Sequence, residues 1–318
     1  MSETPSTLID APAAPVSLKG HRQARRLFGR SRGTYIGYLL VAPLVIWLFT
    51  ILVYPIGNLI SLSLTNTRVV GGPSQFVGLA NFQTILSSLP FWNAVGRSVI
   101  WLLGNVALGT VVAFAAALLL RHNWHPARQA RVWVLLPWVI PTVAVAVIWQ
   151  WMLNANYGVI NIILQNLGII SGALNVFGSK EFAMLGTIIS NTWHWFPLSA
   201  VVMYGAMQNI PKELYEAAAI DGANGWAQLR YITLPSISKA LYALGLVGGL
   251  WTLNVFDTIY LITRGGPADA TMTLPVYIYE SAFKGLRIGQ AAAMSVVAIC
   301  LMAFAAAVYA KFMAPTEE

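Results

Sequence analysis

Apolar residues fall in six long blocks along this chain, near residues 35–64, 96–120, 132–153, 182–207, 237–262 and 288–312. A helix needs about 20 apolar residues to cross the ~30 Å hydrocarbon core of a bilayer, and each block reaches that length. The pattern predicts an all-α, polytopic membrane protein with six transmembrane helices. Pro43 and Pro55 lie inside the first block and are expected kinks, which membrane helices tolerate. That block is much longer than the apolar core of a cleaved signal peptide. Residues 158–178 are also apolar, but Gly158, Gly168, Gly172 and Gly178 interrupt them. We read this segment as re-entrant or as a surface helix, because a seventh crossing would reverse the side of everything after it. No internal repeat is evident.

The polar stretches set the organisation. Residues 1–33 form a tail, Pro/Ala-rich and then basic, whose front has the composition of a disordered segment. Residues 34–314 form the membrane domain. Residues 65–93 and 263–287 are loops between blocks, the second opening with Thr263-Arg264-Gly265-Gly266-Pro267. Residues 211–235, PKELYEAAAIDGANGWAQLRYITLP, are the longest moderately polar insert on what the charge pattern below makes the inner side. Pro211 suits a helix start, and Glu213 and Glu216 follow where the helix dipole favours carboxylates. Leu214, Ala217 and Ala218 give one small-residue face. Asp221-Gly222 breaks the run, since Gly tolerates positive φ at a helix end. Asn224 is the expected cap of a second short helix carrying Trp226, Leu229 and Ile232, which Leu234-Pro235 ends. The prediction is helix, bend, helix, lying outside the lipid.

Composition narrows this further. Of 318 residues 57% are apolar and 9% charged, against about 25% charged in soluble domains, and the mean hydropathy is +0.66. The net charge of +8 lies in residues flanking the apolar blocks, so it reports topology rather than a nucleic-acid partner. With the N-terminus inside, Lys19, Arg22, Arg25, Arg26, Arg30, Arg32, Arg121, Arg128, Arg131, Lys212, Arg230, Lys239 and Lys311 face the cytoplasm. Arg68, Arg97, Lys180, Arg264, Lys284 and Arg287 then face outward. Thirteen against six predicts that both termini and residues 211–235 are cytoplasmic. The single Cys300 makes no internal disulfide, and no Cys/His cluster has metal-ligand spacing.

The string Glu216-Ala217-Ala218, three residues, Gly222, nine residues, Ile232, one residue, Leu234-Pro235 resembles the complete EAA loop of permease subunits of bacterial binding-protein-dependent ABC importers. The run VFDTIYLITRGGP and the later TLPVYIYESAF resemble the maltose and glycerol-3-phosphate branch of that carbohydrate-uptake family, over roughly residues 35–312. The large external domain of the maltose permease has no counterpart here. The resemblance implies the type I importer permease fold, with 211–235 as a cytoplasmic coupling helix between helices 4 and 5. It implies ATPase-coupling roles for Glu216, Ala217, Ala218, Asp221, Gly222, Ile232, Leu234 and Pro235. It further implies a second homologous permease, an ATPase dimer and an external solute-binding protein in the bacterial inner membrane. No cofactor is expected on this chain; ATP and Mg belong to the partner ATPase.

Polar side chains inside membrane helices are costly and usually face a cavity or a partner. Asn191, His194, Trp195 and Leu198 recur at i, i+3, i+4 and i+7, one stripe combining amide, imidazole, indole and aliphatic groups. Such a mixture suits a sugar, and by resemblance these are sugar-contacting positions, although only Asn191 keeps the residue type. Packing and hydrogen bonding between helices is the other reading. Asn254 and Asp257 stand one turn apart in the fifth block near Trp251 and Tyr260, and resemblance places Asn254 near a sugar contact. Asp257 either bonds substrate hydroxyls or pairs with Arg264. Trp149, Gln150, Trp151 and Asn154 read as interfacial belt residues.

The chain lacks a G-x-x-x-x-G-K-[ST] loop and a nucleophile–base pair, so it is expected to be neither the ATPase nor another enzyme. The expected function is permeation of a sugar or glycoside, with glycerol 3-phosphate or another anionic polyol derivative as the alternative. An ion-coupled carrier would show inverted repeats and embedded ion ligands, and neither is evident.

Overall fold

The computed structural model describes residues 32–69, 71–121 and 127–313. The tail expectation for residues 1–31, with Lys19, Arg22, Arg25, Arg26 and Arg30, lies outside the described residues, as do the side chains of Arg128 and Arg131. The chain divides into two compact units, residues 1–57 and 58–318.

In the first unit the described residues belong to α1 (Arg32–Ser63), which stays helical through Pro43 and Pro55. Its side chains from Tyr38 to Tyr54 are largely exposed and apolar, the surface a bilayer covers.

The second unit is built from α2 (Ala80–Leu86), α3 (Leu89–Arg121), α4 (Ala127–Val139), α5 (Thr142–Met152), α6 (Val159–Asn166), α7 (Ala183–Gln208), α8 (Lys212–Ile220) and α9 (Gly225–Gln228). A π-turn (Leu229–Thr233) leads into α10 (Leu234–Ser236), followed by α11 (Ser238–Leu253), α12 (Asp257–Thr263), α13 (Leu274–Tyr279), a second π-turn (Glu280–Lys284) and α14 (Ile288–Met313). Among the described residues β structure is limited to the bridge between Thr65 and Phe76.

Three helices among the described residues, Gly37–Ser63, Leu89–Arg121 and Ile288–Met313, are long and apolar enough to cross a membrane. The number reaches five if each of two bent pairs is one span. α7 has the length, at 26 residues, but Asn191, Thr192, His194 and Gln208 dilute its apolar character.

Several expected spans differ in detail. α3 starts at Leu89, so Arg97 lies within the helix. The 132–153 span is bent by 99° between Val139 and Thr142. Pro141 causes this: it has no N–H to give and pushes Ile140 out of helical geometry. The 237–262 span breaks after Leu253. Asn254 turns its side-chain amide back onto the Leu250 carbonyl at 2.9 Å, and its backbone N–H reaches only to Trp251. Such side-chain bonds compete with the helical ladder, and helix resumes at Asp257. In 158–178 only α6 is helical, and its 8 residues span about 12 Å, far short of a crossing. Asn161 folds this segment onto the end of α5, donating to the carbonyls of Asn154 and Leu174 and accepting from the Leu174 amide.

α3 packs along α7 as the central pair. Small residues let the helices approach closely: Gly104 faces Ile188, and Ala113 and Ala117 pack with Ala200, Met203 and Met207. Trp101, Ile188, Ile259 and Val276 form a second cluster, and Ile85, Phe91, Leu274 and Met294 a third.

Candidate functional site

The elbow at 211–236 is built by local capping. Pro211 precedes α8 with extended ψ, and Glu213 occupies the first turn. At the other end Gly222 takes φ +82°; its amide donates to Ala219 at 3.1 Å and that of Ala223 to Ala218 at 2.8 Å. This pair of bonds is the Schellman closure, which needs the left-handed conformation that glycine adopts without strain. Asn224 Oδ1 accepts from the Ala227 amide at 2.9 Å and opens α9, as its position predicts. Leu234-Pro235 does not end the helical path. It lies within α10, and the chain bends by 62° at the buried Ile237.

The motif residues divide by exposure. Glu216, Ala217, Asp221, Gly222 and Pro235 are exposed, whereas Ala218, Ile232 and Leu234 are half-buried. Around them stand apolar side chains in solvent-facing positions: Leu214, Trp226, Tyr231 and, at 88% exposure, Ile220. Tyr215 and Ile232 instead pack onto the α3–α7 cluster. The Tyr215 hydroxyl accepts from Arg121 at 3.0 Å and lies 2.9 Å from Thr233 Oγ1.

The stripe on α7 is split by the fold. Asn191 is 3% exposed; it donates to Asn105 Oδ1 at 2.8 Å and accepts from Thr258 Oγ1 at 3.3 Å, joining α3, α7 and α12. His194 is equally buried, and its Nε2 bonds the Ile140 carbonyl at 3.0 Å. A carbonyl only accepts, so Nε2 carries the proton. The bond satisfies a group that the Pro141 bend frees. Asn191 is thus engaged within the chain, and His194 through Nε2, while the buried His194 Nδ1 has no hydrogen-bond partner among the described residues. Trp195 and Leu198 are half-buried, and the Trp195 ring lies 5.6 Å from that of the exposed Trp251. Asn254 and Asp257 are exposed. Asn254 also donates to Met302 Sδ at 3.4 Å, and Asp257 accepts from the Thr258 amide at 2.9 Å. Asp257 does not pair with Arg264: among the described residues the ion pair is Lys284–Glu280 at 2.7 Å. That bond holds the Lys284 ammonium above the usual lysine range.

Of the expected belt residues, Trp151 is exposed. Trp149 is buried edge-on against Trp193 at 5.9 Å, and Gln150 ties α5 to the carbonyls of Leu261 and Ile262.

Sequence reasoning missed one feature. Arg68 and Arg287 line the same cleft of about 550 Å³, with Asn66, Asn81 and Gln290. Gly289 N donating to Thr67 O at 2.9 Å draws the two segments together. Both arginines are exposed, and neither forms an ion pair among the described residues.

Long apolar helices, with a capped elbow following α7, define a helical protein with segments able to cross a membrane. Residues 106–313 match the binding-protein-dependent transport system inner membrane component family. The trehalose/maltose transport system permease protein of Thermococcus litoralis is 31% identical, covering 78% of this chain and 84% of its own. The sulfoquinovosyl glycerol transport system permease protein of Agrobacterium fabrum is 29% identical, covering 87% and 90%. A bacterial alginate ABC transporter, solved in complex with an alginate-pentasaccharide-bound periplasmic protein, has a chain that superposes with TM-score 0.76 at 22% identity, covering 90% of this chain and 96% of that one. The chain belongs to the binding-protein-dependent transport system inner membrane component family.

Proposed function

We propose that the chain is the membrane-spanning permease subunit of an ABC importer for a sugar or glycoside. The observation that carries this reading is the elbow, which holds the full family motif on a surface with its carboxylates and several apolar side chains exposed. The sugar-transport names of the relatives support the substrate class. In this reading six crossings leave both termini and the elbow cytoplasmic. The elbow is the coupling helix between the fourth and fifth spans. A second permease completes the pathway, an ATPase dimer holding ATP and Mg2+ grips the elbows, and an external binding protein delivers the solute. ATP binding draws the elbows together and opens the path outward; hydrolysis resets it, a rigid-body switch between two states. Trp195, Leu198, Trp251, Asn254 and Asp257 line the path from this chain.

A second reading, an anionic glycoside or polyol phosphate, is favoured by the guanidinium groups of Arg68 and Arg287 in one cleft, neither in an ion pair among the described residues. Planar guanidinium donors match carboxylate and phosphate geometry.

Uptake into vesicles tests the function. It should require the ATPase subunit and ATP. Uptake by this chain alone would overturn the proposal.

A further inference from the structure

α8 contains no buried residue, so its grip on the rest of the chain is narrow. Tyr215 is its one contribution to the cluster formed by Ala117, Met203, Met207 and Ile237. Two side chains from separate segments converge at its hydroxyl. Arg121, the last residue of α3, donates to it at 3.0 Å and lays its guanidinium over the ring at 4.3 Å. Thr233 Oγ1 stands 2.9 Å away, is buried, and donates onward to the Gln228 carbonyl at 3.4 Å.

Arginine only donates, so the Tyr215 hydroxyl accepts from Arg121 in a charge-assisted bond. Between Tyr215 and Thr233 either hydroxyl can donate, and the three side chains form one hydrogen-bonded chain. The Arg121 cation also sits at the negative end of the α3 dipole. The chain thus joins α8, the returning limb of the elbow and the end of α3, the helix packed along α7.

We infer that Tyr215 is a positioning residue that transmits displacement of the elbow to α3, through its hydroxyl bonds to Arg121 and Thr233. This rests on the reading of the elbow as the place where a nucleotide-driven subunit docks. A push on the exposed face of α8 moves the Tyr215 ring, and the ring moves Arg121 and the last turns of α3.

Amide hydrogen exchange of the assembled transporter, with and without ATP and Mg2+, reads this relay. In the wild type, nucleotide should change protection at 212–220 and at 115–121 together. Tyr215→Phe keeps the ring and removes the hydroxyl. The response at 212–220 should persist, while that at 115–121 should shrink about tenfold, equivalent to ~1.4 kcal/mol of coupling. Thr233→Val cuts the relay from the other limb and should do the same, and the double variant should lose no more than either single one. A wild-type response at 115–121 in both variants would overturn the inference. Should Tyr215→Phe fail to assemble, Thr233→Val decides by the same criterion. If 212–220 in the wild type does not respond to nucleotide, the docking reading fails and takes the inference with it.

Discussion

Asn191 donates its side-chain amide to Asn105 Oδ1 at 2.8 Å across the interface of the two central helices. With Thr258 as a further donor, this buried trio joins three helices. Removing one member leaves the others unsatisfied in a nonpolar interior. Asn191→Ala should therefore destabilise the folded chain by about 1–2 kcal/mol. Thermal unfolding in detergent should show a lowered midpoint, while the KM for solute in surviving protein stays unchanged.

Trp251 and Asp257 predict the opposite behaviour. Both are exposed, and Asp257 has no ion-pair partner among the described residues. Trp251→Ala and Asp257→Asn should leave the unfolding midpoint within about 0.5 kcal/mol of wild type, as surface changes usually do. Transport should fall. Normal transport by both variants would remove them from the pathway.

Two glycines separate conformational strain from collision. Gly222 has φ +82° with open space around its Cα, so alanine there costs only backbone strain, about 1 kcal/mol. A Cβ on Gly289 would collide with the Thr65 carbonyl. Gly289→Ala should thus displace the Gly289–Thr67 bond and cost about 1–3 kcal/mol. Hydrogen exchange at 64–68 and 287–291 measures it: protection should drop there for Gly289→Ala and not for Gly222→Ala.

Arg68 and Arg287 give a charge test. If the cleft gathers anionic solutes, replacing both with Gln should slow uptake of a uronic-acid oligosaccharide about fivefold at low salt, with less effect at high salt. Uptake of a neutral disaccharide should not change. Equal slowing of both solutes would point away from charge recognition.

The elbow was legible in the sequence because its determinants are local. Gly222 and Asn224 act on groups three to five positions away, so their roles follow from order along the chain. The long apolar helices were legible for a similar reason. What the sequence hid is set by distant partners. Asn191 and His194 share a stripe with Trp195, yet their fates depend on Asn105 and Ile140, 86 and 54 residues away. The break after Leu253 was hidden because apolar residues continue past it, and a single side chain, Asn254, redirects the backbone. Arg68 and Arg287 looked like topology markers until a bond between Gly289 and Thr67 joined their loops.

The central claim is that the exposed face of α8 is where an ATP-driven subunit takes hold. Photo-cross-linking from position 220, whose side chain is the most exposed of the elbow's apolar groups at 88%, tests it most directly in the assembled transporter. The account predicts a strong adduct with the ATPase subunit, lost when Glu216 is replaced by Lys. An elbow that yields no adduct while the ATPase subunit stays bound to the complex, or one reached by membrane-impermeant reagents from outside, would contradict it.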